Sequence, residues 1–173
     1  MLEHLQHAIA GIRALCGAAE SIPLPDASVD AITVGQAFHW FRHEEAVPEL
    51  RRVLRSDGRV ALLWNVRDQE SPLQQEISKL IAPWVTGSAR RPDSASELTV
   101  GAMFVPVEER QFAFVDQLDE DELAGRIASI SFVAAAPETA RREIDAKVRA
   151  VVRRWGGRVD FPYVTGVYIS RAA

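Results

Sequence analysis

His39 is the side chain of this sequence best suited to move a proton at a ligand site, because imidazole exchanges protons near neutral pH. It follows the run DAITVG, residues 30–35, whose apolar character and final glycine are typical of a strand buried on both faces of a parallel sheet. Ligands bind outside the carboxyl ends of such strands. The small residues Gly35 and Ala37 would let a ligand approach the backbone there. The two aromatic residues after His39 would then form a wall, although packing in the core explains them equally well.

Other patterns that carry chemistry are weaker. The sequence contains no G-x-S-x-G, P-loop, C-x-x-C or G-x-G-x-x-G motif. His39, His43 and Glu44 could face a metal from one side of a helix, but no distant third ligand follows a recognisable pattern, so no metal is expected. An acid–base pair of Glu20 and Asp26 is disfavoured, because Asp26 has a turn-forming role after a proline.

The elements around His39 alternate between helix and strand. A parallel β-α-β crossover, which is right-handed in nearly all proteins, would join the two central strands. Trp64 ends the second of these strands, and core packing is the favoured explanation for it. The predicted elements are a helix at 1–11, a strand at 12–17, a loop at 21–30, a strand at 30–35, a helix at 43–58 and a strand at 59–65.

The second half contains the strongest local signals for helices. Ser71 and Pro72 are suited to the N-cap and first position of one helix, and Asp119 is suited to the N-cap of another. An apolar stripe that ends at Trp155 marks the longest helix, which two glycines terminate. The predicted elements are a helix at 71–84, a loop at 85–102, a strand with one solvated face at 107–118, helices at 120–133 and 137–157, and a strand at 159–173.

Length and composition are those of one ordinary globular domain, residues 1–173. The chain is 47% hydrophobic and 25% charged, and its formal net charge is −4. A negative net charge does not indicate binding to nucleic acid or to an anionic membrane surface. Cys16 is the single cysteine, so no internal disulfide is possible and a reducing cytoplasm is the expected location. No apolar run reaches membrane-spanning length.

Two segments together resemble a known family. GAAESIPLPDASVDAITVGQAFHWF, residues 17–41, and EEAVPELRRVLRSDGRVALLWN, residues 44–65, are similar to the central motifs of class I S-adenosylmethionine-dependent methyltransferases. They resemble most the trans-aconitate methyltransferase-like branch, in which the corresponding strand ends in AxHW. The resemblance implies an α/β fold with a Rossmann-like, partly parallel sheet, helices on both faces and an antiparallel last strand. It implies S-adenosylmethionine as the methyl donor and a small molecule, such as a carboxylate, as the acceptor.

The resemblance also assigns residues to these two ligands. His39 and Trp40 would face the acceptor, with His39 acting as general base or as a group that positions a carboxylate. The positions that would contact the donor are Ala18, Ala19 and Glu20 beside its adenine, and Gly35, Gln36 and Ala37 beside its methionine part.

The sequence departs from the family pattern in the motifs that would come first. A strand ending in a glycine-rich turn and a strand ending in an acidic residue, which would hold the donor's amino-acid part and ribose, are both missing. We therefore expect an N-terminally truncated methyltransferase without the first strands of the fold, and weak or absent donor binding by this chain. Residues 1–66 would then carry the donor-site strands, and residues 67–173 would carry the substrate-side helices and final strands.

A non-catalytic role is the alternative. A methyltransferase-like fragment could fold or function through association with another chain. Without a neighbouring first strand, residues 30–35 would form an apolar sheet edge, and such edges pair readily with other chains. The sequence thus also predicts a possible homodimer through this edge.

Overall fold

The computed structural model describes residues 9–85 and 102–173, which contain four strands and five α-helices. Short 3₁₀ turns occur at Phe38–Trp40 and Ala82–Trp84. No helix in these two ranges is long and apolar enough to cross a membrane. In chain order the elements are β1 (Val29–Gly35), α1 (His43–Val53), β2 (Leu54–Arg67), α2 (Pro72–Ile81), β3 (Phe104–Asp119), α3 (Glu120–Ala128), α4 (Ser131–Ala134), α5 (Glu138–Arg154) and β4 (Arg158–Ala172).

The four strands form one mixed sheet in the order β1-β2-β4-β3. β1 runs parallel to β2, with Ala31 opposite Arg59 and Gly35 opposite Leu63. The crossover between them is α1, as the sequence predicts. The expected α/β class with a Rossmann-like sheet is therefore confirmed. Within the described residues β1 lies at one end of the sheet and β3 at the other.

The chain divides into two compact units. Of the described residues, the first unit contains 9–64, 102–110 and 167–173, and the second contains 65–85 and 111–166. Strands β2, β3 and β4 each contribute residues to both units.

The first unit is built around α1 and the start of the sheet. The helix buries Val47 and Leu50, and the first residue of β2, Leu54, is also buried. Phe38, from the 3₁₀ turn after β1, is completely buried. These side chains join the buried strand residues Val34, Val60, Leu62, Trp64 and Phe104 in one apolar cluster.

The second unit confirms most of the helix signals. The Ser71 side chain accepts a hydrogen bond from the Gln74 backbone at the start of α2, and Asp119 forms a capping box with Glu122 at the start of α3. The stripe on α5 is buried from Ile144 to Val152, within one apolar cluster of this unit. Helix α5 carries three i,i+4 ion pairs: Glu138–Arg142, Glu143–Lys147 and Asp145–Arg149.

Helix α1 is shorter than the sequence predicts. The helix was expected over 43–58 but ends at Val53, and Leu54 is already extended and paired with Val29. A register shift between Val29 and Ala31 accommodates the residues that follow Leu54. Gly58 is needed there for close packing, because a Cβ atom at this position would lie 2.6 Å from the Leu54 Cδ2 atom. Burial of Leu54 therefore overrides the helical pattern of residues 54–58.

Two strand predictions in the first unit are wrong. Residues 12–17 form no strand, and the only pairing near them is an isolated bridge between Ala18 and Ser21. β1 is not buried on both faces: Val34 is buried, but Ala31 and Thr33 are exposed. Within the described residues, nothing covers the face of β1 that carries Ala31 and Thr33 closely enough to bury them.

Three predictions in the second half need correction. Phe112 and Val115 of β3 are 52% and 54% exposed, so this part of the strand has two exposed faces rather than one. The helix predicted over 120–133 is broken between α3 and α4. Trp155, predicted to extend the stripe of α5, is 45% exposed just past the end of the helix. The predicted helix at 1–11 and loop at 85–102 lie almost wholly outside the described residues.

Candidate functional site

A cavity of about 500 Å³ opens in the first unit, between the loop that precedes β1 and the carboxyl half of β1. The loop contributes seven of its residues to the cavity wall. The cavity therefore lies at the carboxyl end of a parallel strand, where ligands bind in open α/β sheets. Its lining residues are Leu15, Gly17, Ala18, Ala19, Ile22, Pro23, Leu24, Ile32, Thr33, Val34, Gly35, Ala37, Phe41 and Leu50.

Four of the six residues assigned to the donor line this cavity. Ala18 and Ala19 contribute from the loop, and Gly35 and Ala37 contribute from the end of β1. Nothing lies within 4 Å of the point where a Cβ atom on Gly35 would stand, so a ligand could approach the backbone there. The structure thus brings together residues that are up to nineteen positions apart in the sequence, from Ala18 to Ala37.

The other two assigned residues, Glu20 and Gln36, are not among the lining residues. The Glu20 carboxylate accepts a hydrogen bond of 2.8 Å from the Arg42 backbone, which lowers the pKa of Glu20. Gln36 has a φ of 55°, and its backbone donates to the Leu63 carbonyl oxygen over 3.0 Å. Both residues therefore shape the backbone around the cavity.

The cavity wall is almost entirely apolar. Thr33 has the one polar side chain among the fourteen lining residues, and none of them is charged. Such a wall suits a flat, uncharged ring such as a nucleobase. It offers few partners for hydroxyl or carboxylate groups, which lose hydration when they are buried.

An arginine–glutamate pair on α1 holds the loop that forms the cavity wall. Arg52 donates to the carbonyl oxygens of Ile22 and Leu24, at 3.0 and 2.9 Å, and to Asp26 at 2.6 Å. Glu49 binds Arg52 at 2.7 Å and accepts a hydrogen bond from the Ile22 backbone at 2.8 Å. The sequence patterns described above did not predict this pair. The available signal was an acid and a base three residues apart on the polar face of α1.

Glu49 is expected to stabilise the protein in its ionised form. Hydrogen bonds from Arg52 and from the Ile22 backbone lower the pKa of Glu49 from 4.5 to about 2. Its contribution to the free energy of unfolding is therefore complete above pH 4.5 and is lost as the pH falls toward 2. Glu49→Gln should lower the free energy of unfolding at neutral pH, and this difference should shrink below pH 4.5 in urea denaturation.

Glu44→Gln is the matched control, because Glu44 is exposed on the same helix. It should change the free energy of unfolding much less at every pH. A loss of stability in Glu49→Gln that does not depend on pH would contradict the proposed role of the ionised carboxylate.

The residues assigned to the acceptor, His39 and Trp40, lie in the 3₁₀ turn directly after β1. Both are exposed, Trp40 by 69%, and neither lines the cavity. The His39 ring centroid lies 4.7 Å from that of Trp40 and 5.2 Å from that of Trp64. Two indole rings thus restrict an imidazole that remains open to solvent.

The neighbouring aromatic residues have structural roles. Trp64 is 5% exposed in the apolar cluster, as the favoured interpretation of its position predicts. The His43 ring stacks on buried Phe38 at 4.5 Å, and its Nε2 atom lies 3.0 Å from the Phe38 carbonyl oxygen. Within residues 9–85 and 102–173, no three His, Cys, Asp or Glu side chains are grouped as metal ligands.

Fold and cavity define an α/β protein with a Rossmann-like sheet and a cavity at the carboxyl end of a parallel strand. A candidate type II methyltransferase from Anaeromyxobacter dehalogenans has a similar structure, with a TM-score of 0.61 and 23% sequence identity. The match covers 90% of this chain and 69% of that protein. At this identity the similarity establishes the fold alone.

The sequence relatives identify the family. A family model described as a methyltransferase domain matches residues 1–62. The uncharacterized methyltransferase C25B8.09 of Schizosaccharomyces pombe is 32% identical over 175 residues, which cover 98% of this chain and 70% of the relative. Mb3374 of Mycobacterium bovis is also an uncharacterized methyltransferase. It is 35% identical over 171 residues, which cover 95% of this chain and 68% of the relative. The chain belongs to the class I S-adenosylmethionine-dependent methyltransferase family.

Proposed function

We propose that this chain transfers a methyl group from S-adenosylmethionine to a small acceptor that carries a carboxylate. Membership of the methyltransferase family supports the reaction type. The observation that carries the site assignment is the cavity at the end of β1, which four of the six residues assigned to the donor line. The carboxylate acceptor follows from the resemblance of the segment around His39 to trans-aconitate methyltransferase-like proteins.

The cavity fits part of the donor. Its volume of about 500 Å³ lies in the range of small-molecule sites. Ala18 and Ala19 would contact the adenine ring, while the open space over Gly35 would admit the methionine part. When bound, S-adenosylmethionine supplies an electrophilic methyl group on a sulfonium, which an acceptor atom displaces directly. The chain itself would contribute mainly alignment of the two ligands.

His39 is the residue proposed to act on the acceptor. Its ring is held against Trp40 and Trp64 but remains exposed, so it can reach a ligand. For a hydroxyl or amine acceptor it would remove the proton as the new bond forms. A carboxylate needs no base, and His39 would then bind and orient it.

Filling the cavity at Gly35 should abolish methyl transfer without unfolding the protein. In Gly35→Val the added side chain enters open space, so the fold should tolerate it while the donor is displaced. We expect release of S-adenosylhomocysteine, assayed at millimolar S-adenosylmethionine with a panel of small carboxylic acids, to fall on the order of 10²-fold, because small misplacements of reacting groups have effects of this size.

Gly125→Ala is the control for this test, because Gly125 also faces open space but lies on α3 in the second unit. It should retain the activity of the unmodified protein. Equal activity in Gly35→Val, with unchanged near-ultraviolet circular dichroism, would refute the placement of the donor in this cavity.

Association with another chain is a second candidate function. Within the described residues β1 pairs with β2 and with no second strand. Ala31 and Thr33 on this strand are exposed, and Thr33 lines the apolar cavity. An exposed strand edge next to an apolar surface favours pairing with a strand of a second copy, which would bury both.

Sedimentation velocity should therefore detect a dimer or larger species of this chain. A lysine on an edge strand opposes edge-to-edge pairing, so Ala31→Lys should shift the distribution toward monomer. Ala128→Lys adds the same charge at an exposed position at the end of α3 and should not do so. A single monomeric species of the unmodified chain at all concentrations would rule out this association.

A further inference from the structure

Arg67, the last residue of β2, has a buried guanidinium nitrogen with no partner. Its Nη1 atom makes no hydrogen bond in the part of the chain that the structure describes. Burial lowers the pKa of Arg67, and the neighbouring hydroxyl of Tyr163 opposes this shift. A partly buried cation without a counter-charge is unfavourable in the free protein.

The other arginine beside Tyr163 shows the contrast. Arg126 forms an ion pair with Asp116, and its Nη1 atom also donates to the Tyr163 hydroxyl over 3.2 Å. Its guanidinium carbon lies 5.6 Å from the centre of the Tyr163 ring. The charge of Arg126 is thus compensated within the second unit, whereas no carboxylate among the described residues forms an ion pair with Arg67.

Two more unpaired polar atoms lie on α2 in the same unit. The Gln74 Oε1 and Ser78 Oγ atoms are buried without hydrogen-bond partners. They are one helical turn apart and so share a face of the helix. The Gln74 Nε2 atom donates to the Pro162 carbonyl oxygen, which also accepts a hydrogen bond of 3.2 Å from the Asp68 backbone. Gln74 therefore packs beside the strand positions that adjoin Arg67 and Tyr163.

We propose that Arg67 binds the carboxylate group of a small ligand in the second unit, with the Ser78 hydroxyl as a neutral hydrogen-bond donor. A planar guanidinium matches a carboxylate with two parallel hydrogen bonds. A single carboxylate group balances the one uncompensated positive charge, and the second carboxylate of a dicarboxylate such as succinate can stay in solvent, because Arg67 is only partly buried. A doubly charged phosphate group would instead bury an excess negative charge among Phe161 and Tyr163. The inference goes beyond the proposed methyl transfer, because it concerns binding to this unit and holds whether or not that reaction occurs.

Succinate and inorganic phosphate, at matched ionic strength, are the probes for the test. Succinate should raise the Tm of the unmodified chain and shift the amide resonances of residues 65–68 and 162–164, and phosphate should have a smaller effect. Arg67→Met should weaken succinate binding about 10- to 150-fold, the range for a hydrogen bond to a charged group. Arg67→Lys, which keeps the charge but loses the paired geometry, should bind with intermediate affinity.

Arg158→Met is the matched control, since Arg158 is an exposed arginine of the same unit. It should retain the response to succinate. In the absence of ligand, Arg67→Met should have a Tm at or above that of the unmodified chain, because it removes an unpaired buried charge. An equal response to both anions would overturn the carboxylate assignment. A succinate response that persists in Arg67→Met, or is absent from the unmodified chain, would overturn the site.

Discussion

Calorimetric titration of the 173-residue chain with S-adenosylmethionine should show no binding at micromolar concentrations. The donor carries two ribose hydroxyls, an ammonium and a carboxylate, whereas Thr33 has the one polar side chain that lines the cavity in the described residues. The resemblance to class I methyltransferases implies that an acidic residue and a glycine-rich turn normally bind these groups. The sequence contains no G-x-G-x-x-G motif to supply that turn.

The size of the effect follows from the missing hydrogen bonds. Hydrogen bonds to charged groups contribute about 1.5–3 kcal/mol each. Two of them, with some lost packing, amount to on the order of 5 kcal/mol, which is between three and four powers of ten in affinity. A micromolar site would become roughly millimolar. The apolar walls around Ala19 cannot offset this difference, because they offer the donor's polar groups no partner.

The S. pombe relative C25B8.09, of which this chain covers 70%, provides the comparison. We expect the relative to bind S-adenosylmethionine with micromolar affinity and this chain to show no binding in the same titration. Micromolar affinity of these 173 residues on their own would show that the donor does not depend on the missing motifs, or that it binds elsewhere.

Replacing His39 should have the second largest effect. If His39 acts on the acceptor, His39→Ala should lower turnover, measured at millimolar donor because of the weak binding expected above, by roughly two to four powers of ten, the range for a general base. Donor affinity should change little, because His39 does not line the cavity. Release of S-adenosylhomocysteine, measured with the most active carboxylic acid of the panel, reports the turnover.

His39→Gln separates the two roles proposed for this residue. Glutamine can donate a hydrogen bond but cannot accept a proton as a base, so it should rescue activity if His39 orients a carboxylate and should fail if His39 removes a proton. Unchanged turnover in both variants would assign His39 a purely structural part, as one more ring packed against Trp64.

Signals confined to a few neighbouring residues predicted local structure well. Ser71 and Asp119 form the predicted N-caps because a side-chain oxygen reaches backbone groups only two or three residues ahead. The ion pairs of α5 formed for the same reason, since their partners are one helical turn apart. The parallel pairing of β1 with β2 followed from the helix between them.

The motif around β1 indicated much of the candidate site. The short segment containing Ala18 and Ala19 and the strand end at Gly35 belong to one sequence pattern, and both line the cavity. Their proposed contacts with the donor rest on the resemblance and await the titration. The apolar character of the rest of the wall depends on which side chains the loop turns inward, and the sequence pattern does not specify that choice.

Burial was decided only by the tertiary structure. The pattern of β1 indicates a strand covered on both faces, yet Thr33 is exposed, because the burial of a face depends on what packs against it in the fold. Residues 54–58 continue a helical pattern, but Leu54 gains more from burial beside Val29 than from one more helical turn. The sequence shows that an acid and a base are three residues apart at Glu49 and Arg52. Only the folded structure shows that both side chains form hydrogen bonds with the backbone of Ile22 in the loop. Periodicity and capping depend on neighbours along the chain, but solvent exposure and long-range hydrogen bonds depend on residues that only folding brings together.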